Sequence, residues 1–243
     1  MIHIGCCGYS YMRPSEFFGE NWKNSFGSVL QAYVKLFDSV EINSSFYKIP
    51  KISTSEKWRK EANEINKNFI FTVKASNIIT HIDKFSGRSV WAFNQMKEIC
   101  KALNAKILLL QSPNSWKPSE ENIEKMKSFF NQIKREKITI TWEPRGKWWD
   151  EPNLIKEVCK KFNLINCVDP FRNEPLYFGK EKIAYFRLHG FGLLSMYHYN
   201  FSKKELEELK EKIKSLNVKE IYVMFNNAWC YSNALEFKKL LNL

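Results

Sequence analysis

The sequence predicts one α/β domain, a single (β/α)8 TIM barrel over residues 1–243. Two observations carry that expectation. Eight short apolar runs rich in Val, Ile and Phe recur along the chain, each ending in a polar or small residue. Between them lie amphipathic stretches, the alternation expected of buried parallel strands with helices outside them. The length suits eight βα units in one barrel, typically about 250 residues, and no Pro/Gly/Ser-rich linker divides the chain.

Taken in order, the first run, IHIGCCG, enters a strand at Ile2 and leads to Tyr9 and Tyr11. The second, SVEINSSFY, puts Glu41 and Asn43 on one face, because strand side chains alternate, and continues to Phe46 and Tyr47. The third, FIFTVKAS, offers Lys74, with His81 a few residues beyond, and the fourth, KILLLQSP, offers Gln111. In the fifth, ITITWEPR, the same two-residue step pairs Glu143 with Arg145 ahead of Trp148 and Trp149. LINCVD supplies Asp169, and AYFRLHG pairs Arg187 with His189 before Tyr197 and Tyr199. The eighth, EIYVMFNN, offers Asn226 or Asn227, and periodicity does not decide which faces inward. Each run is expected to give way to a loop and a helix.

Carboxyl ends of the strands form the active face of such a barrel. Glu41, Lys74, Glu143, Arg145, Arg187 and His189 are therefore the candidate catalytic groups. Asn43, Tyr47, His81, Gln111, Trp148, Tyr197, Tyr199, Asn226 and Asn227 are the candidate substrate-binding groups. Taken singly, each charged member is equally well explained by pairing with its neighbours, since an unpaired buried charge costs several kcal/mol. Taken together, polar endings on every strand after the first are hard to attribute to stability. The aromatic loops, with Trp116, Trp229 and Tyr231, are expected near the same rim, to stack a base or sugar or to cap the barrel.

A formal charge of +12 makes nucleic acid or a phosphorylated small molecule a candidate partner. Runs such as KKELEELKEKIK also fit a merely solvated helix face. No run approaches a membrane span and no leader pattern opens the chain, so a cytoplasmic protein without a membrane partner is expected. The six cysteines lack CxxC pairing and are expected to be reduced, with Cys100 and Cys159 in the core. His3 should lie low in the barrel and His198 should be exposed. Nothing in the sequence sets the oligomeric state.

The segments GCCGYSY, FDSVEINSSFYKIP, FTVKASNIITH, LLLQSPNSW, WEPRGKWW, YFRLHG and YVMFNNAWCYSNA resemble the uncharacterised DUF72 (YecE-like) family over nearly the whole chain. That resemblance implies the same barrel and no established reaction. It falls on Glu41, Asn43, Tyr47, Lys74, His81, Gln111, Glu143, Arg145, Arg187, His189, Gly190, Asn226 and Asn227. The chain departs from the family where a GTSGW-like segment reads GCCGY.

Three functions remain open from the sequence. The first is a metal-assisted, nuclease-like phosphodiester hydrolase, with Glu41, Glu143, Asp169 and His189 holding a divalent ion and Lys74, Arg145 and Arg187 neutralising phosphate. Against it, no HxH or HExxH spacing occurs. The second is a metal-free enzyme on a sugar or sugar phosphate, with Glu41 and Glu143 as acid and base, or Lys74 as a Schiff-base amine of lowered pKa. The third is a non-catalytic nucleic-acid-binding module. An iron–sulfur cluster on Cys6, Cys7, Cys167 and Cys230 is geometrically conceivable, and a nucleotide cofactor has no motif to support it.

Overall fold

The computed structural model describes residues 1–243. Eight parallel strands close a barrel in sequence order. They are β1 (Ile2–Cys6), β2 (Ser39–Ile42), β3 (Ile70–Lys74), β4 (Ile107–Gln111), β5 (Thr139–Glu143), β6 (Ile165–Val168), β7 (Ile183–Leu188) and β8 (Glu220–Phe225). A short turn of helix, α1 (Ser15–Phe18), and α2 (Val29–Leu36) follow β1. Then come α3 (Ile52–Ile65), α4 (Ser89–Leu103), α5 (Glu120–Gln132) and α6 (Pro152–Phe162), one after each of β2 to β5. The helices α7 (Lys203–Lys214) and α8 (Cys230–Leu240) follow β7 and β8. No helix is long and apolar enough to cross a membrane.

The sixth unit departs from the expected alternation, because no helix joins β6 to β7. Pro170, Pro175 and Gly179 punctuate that stretch, and each proline removes an N–H donor. Asn166 stands in for the helix by binding the connection back: its N–H donates to the Tyr177 carbonyl (2.9 Å) and its Oδ1 accepts from Leu176 N–H (3.1 Å).

Helix starts are written in the sequence. Ser28 and Ser119 cap α2 and α5 through their hydroxyls, and Ser202 with Glu205 forms a reciprocal capping box on α7. In α7 the lysines and glutamates do form an outer face, with Leu206, Leu209 and Ile213 buried beneath it.

Most of the hydrophobic stabilisation lies outside the barrel. The layer between strands and helices holds 53 buried apolar residues, against 8 in a separate cluster inside. That inner cluster, which includes Leu109, Cys167, Tyr185 and Met224, fixes the parity of the inward faces. Above it the inward positions are polar. Gly5 permits the close approach of β1 to β2, since a Cβ there would sit 2.1 Å from the Ser39 carbonyl oxygen.

Candidate active site at the carboxyl ends of the strands

Period-two alternation delivers Glu41, Lys74, Gln111, Glu143 and Arg187 to the barrel interior, all buried. Arg187 is fully buried at their centre. Its Nε and Nη2 donate to the two oxygens of Glu41 (3.1 and 2.9 Å), and its Nη1 donates to Glu143 Oε2 (2.6 Å). A bidentate guanidinium–carboxylate pair is among the strongest polar contacts. Behind Glu41, Tyr185 donates its hydroxyl to Oε2 (3.0 Å) and lies 2.7 Å from the Thr72 hydroxyl. Gln111 Nε2 donates to Glu143 Oε2 (2.8 Å).

The chain of contacts continues outward. Arg145 Nε donates to Glu143 Oε1 (2.8 Å), and Arg145 Nη2 lies 3.0 Å from His189 Nε2. A guanidinium has no acceptor, so that imidazole nitrogen accepts and Nδ1 carries the proton. Nδ1 then faces Asp169 Oδ2 at 3.3 Å, and the same oxygen accepts the His189 backbone N–H (2.9 Å). Burial alone would raise the Glu143 pKa, but the charges of Arg187 and Arg145 outweigh it and hold the carboxyl well below its usual range.

Lys74 is the exception in this network because it makes no ion pair. Its Nζ lies 4.1 Å from the centroid of the Phe46 ring. Burial, reinforced by the Arg187 charge, pulls its pKa from 10.5 down to about 8. The half-buried His81 packs edge-on to the same ring at 4.8 Å. Burial first, then Lys74 and Arg145, push its pKa down to about 4. Asn43 Oδ1 is buried without a partner. Beside the network, above β5 to β7, a cavity of about 310 Å³ is lined by Arg145, Arg172, Trp149, Asn173, His189 and Met196, among others. Arg172 was not singled out from the sequence, although it follows Asp169 by three residues. With it, four cations (Lys74, Arg145, Arg172, Arg187) face three carboxylates.

Several expected site residues lie elsewhere. Trp148 is fully buried, its Nε1 donating to the Trp116 carbonyl (2.8 Å) and its ring against Trp142 and Trp116. The 3₁₀ turn Gly146–Asp150 carries it into the outer core, so neither Trp148 nor Trp116 is a rim ring. Asn227 points away from the mouth, donating to the Tyr199 carbonyl and to Asn233, while parity puts Asn226 on the inward face. Tyr199 donates to Glu205 and packs over Gly190. Tyr47 and Trp229 remain exposed, as does Tyr197, whose ring lies 5.7 Å from that of His189.

The four residues proposed for a divalent ion do not fit one in this arrangement. Arg187 occupies both oxygens of Glu41 and one of Glu143, and no three His, Cys, Asp or Glu side chains converge on a common point. The cysteines fit a cluster no better. Cys6 faces the outer core beside Cys230, Cys7 and Cys167 face inward, and burial pushes the thiols of Cys6, Cys7 and Cys167 well up, away from the thiolate a cluster needs.

The family of uncharacterised proteins described as "Protein of unknown function DUF72" matches residues 3–243. The chain belongs to that family. It is 24% identical to the UPF0759 protein YunF of Bacillus subtilis (strain 168), an alignment covering 93% of this chain and 89% of that one. A DUF72 family protein of Enterococcus faecalis V583 superposes with a TM-score of 0.77 at 22% identity, covering 100% of this chain and 98% of the other. One from Thermotoga maritima MSB8 gives 0.72 at 25% identity over the whole of both chains.

Proposed function

We propose that this DUF72 barrel is a metal-free enzyme acting on a small phosphorylated carbonyl compound of the sugar-phosphate class, with Lys74 as the nucleophile. The observation that carries this reading is a buried lysine at the mouth that makes no direct ion pair, its pKa lowered to about 8. At neutral pH its neutral fraction is roughly a few hundred times that of an ordinary lysine, as a shift of this size implies.

The neutral Lys74 amine would add to the carbonyl carbon. One amine proton and one proton from an acid pass to the carbonyl oxygen, water leaves, and a protonated C=N bond to Nζ remains. Arg145 and Arg172, on the adjoining cavity wall, would bind the phosphate and the surplus positive charge would favour it. His189, its tautomer set by Arg145 and Asp169, would carry protons to and from the carbon next to the iminium. Glu41, fully paired with Arg187, would position Arg187 and hold its charge close to Lys74.

The test is reductive trapping. The protein is incubated with a panel of phosphorylated aldehydes and ketones plus cyanoborohydride, and the modified peptide is located by mass spectrometry. An adduct of substrate minus water plus two hydrogens on Lys74, absent in Lys74→Met and weak with unphosphorylated analogues, supports the reading. Uniform labelling of surface lysines would overturn it. So would metal-dependent cleavage of labelled DNA or RNA that Glu143→Gln abolishes, which would favour the phosphodiesterase alternative.

A further inference from the structure

We propose that the amino-terminal end of the barrel, opposite the mouth, holds a second binding site, for a small organic oxyanion with an apolar or aromatic body. A cavity of about 550 Å³ opens there, within the size range of small-molecule sites. Its floor is made by inward residues near the amino-terminal ends of the strands, among them His3, Ile70, Ile107 and Tyr222, and its side by Arg59 of α3. This inference does not depend on the chemistry proposed for Lys74.

Arg59 is the centre of the argument. Its Nη1 donates to the Phe69 carbonyl (2.7 Å) and its guanidinium lies over the Phe71 ring, 4.9 Å from the centroid. Nε and Nη2 are buried and have no hydrogen-bond partner, and the side chain makes no ion pair. A buried unsatisfied donor costs about 1–3 kcal/mol, more when charged, so a pair on one guanidinium calls for an explanation. Nε and Nη2 form the edge that binds a carboxylate or phosphate through two parallel hydrogen bonds. A small swing of the long side chain would present that edge to the cavity.

The remaining walls agree with such a ligand. Lys67 and Lys106 line the same cavity and are exposed cations without an ion-pair partner. The one carboxylate on the wall, Glu220, already accepts the Tyr222 hydroxyl (2.8 Å) and faces His3 Nε2 at 3.8 Å. Phe69, Ile70, Ile107 and Tyr222 supply apolar surface for the body of the ligand, and a bare inorganic ion would leave that surface unused.

The experiment is isothermal titration of the whole protein with phenyl phosphate, benzoate and inorganic phosphate at fixed ionic strength. Arg59→Gln, Lys106→Gln and the mouth variant Arg172→Gln are titrated alongside. Saturable binding of phenyl phosphate or benzoate is expected, tighter than that of inorganic phosphate. Arg59→Gln should weaken it about tenfold or more, the loss of roughly one charge-assisted contact. Lys106→Gln, at an exposed position where folding is not at risk, should weaken it by a smaller factor, and Arg172→Gln should leave the Arg59-dependent binding unchanged, removing only binding at the mouth. Preference between phenyl phosphate and benzoate tells a phosphate ester from a carboxylate. The proposal fails if the wild type binds neither organic anion, if inorganic phosphate binds as tightly, or if binding responds to Arg172→Gln and not to Arg59→Gln or Lys106→Gln.

Discussion

Replacing Lys74 by Met should make the protein more stable at pH 7, and the gain should vanish as the pH is raised. Lys74 is 7% exposed and its pKa falls from 10.5 to about 8, mainly through burial. Between those values the unfolded chain holds the proton and the folded one sheds it, so wild-type stability rises with pH across that window. Below about pH 8 the folded state carries the full cost of a buried, unpaired ammonium. At about 1.4 kcal/mol per pH unit, that cost is roughly 3 kcal/mol. Methionine keeps an unbranched side chain, one atom shorter, and drops the charge. Urea denaturation of both proteins at pH 7 and at pH 10.5 separates the charge from packing, because any packing change is common to both conditions. The stability difference in favour of Lys74→Met should be about 2–3 kcal/mol larger at pH 7 than at pH 10.5. A difference independent of pH would show that Lys74 has an ordinary pKa, and the reasoning would be wrong.

Other variants test the surrounding framework. Arg187→Met leaves Glu41 and Glu143 buried without their shared partner and should cost about 3–5 kcal/mol, seen as a melting temperature lower by about 10 °C or more. Trp148→Ala should cost a similar amount through cavity formation, whereas Tyr47→Ala, at a side chain 77% exposed, should stay within about 0.5 kcal/mol of the wild type. Equal effects at the two positions would contradict the burial described for Trp148. Gly190→Ala should be strongly destabilising in the same denaturation assay, because φ is +90° and a Cβ would meet Tyr199 Cβ at 2.3 Å.

The strands were legible because their evidence is local. Runs of Ile, Val and Phe declare buried strands, and alternation alone put Glu41, Lys74, Glu143 and Arg187 inside one barrel. What escaped is set by contacts between distant residues. Arg187 and Glu41 are 146 positions apart, and nothing in either motif says that the arginine takes both carboxylates otherwise available to a metal. Trp148 reads as a rim residue until its turn is seen to point the ring inward. The missing sixth helix left a signal in Pro170, Pro175 and Gly179, which the expectation of a regular repeat overrode. The cavity around Arg59 left none, since a gap between α3 and the strand ends is a matter of packing.

If Lys74 is an amine nucleophile near neutral pH, competitive labelling of the lysines will show it. Trace acetic anhydride is reacted with the folded protein from pH 6 to 11, and the acetylation of each lysine is followed by mass spectrometry and normalised to the denatured chain. Lys74 should then gain reactivity near pH 8, well below the pH at which the same lysine gains it in the denatured chain. If Lys74 titrates with the surface lysines, the mouth holds an ordinary ammonium and the proposed Schiff-base chemistry loses its basis.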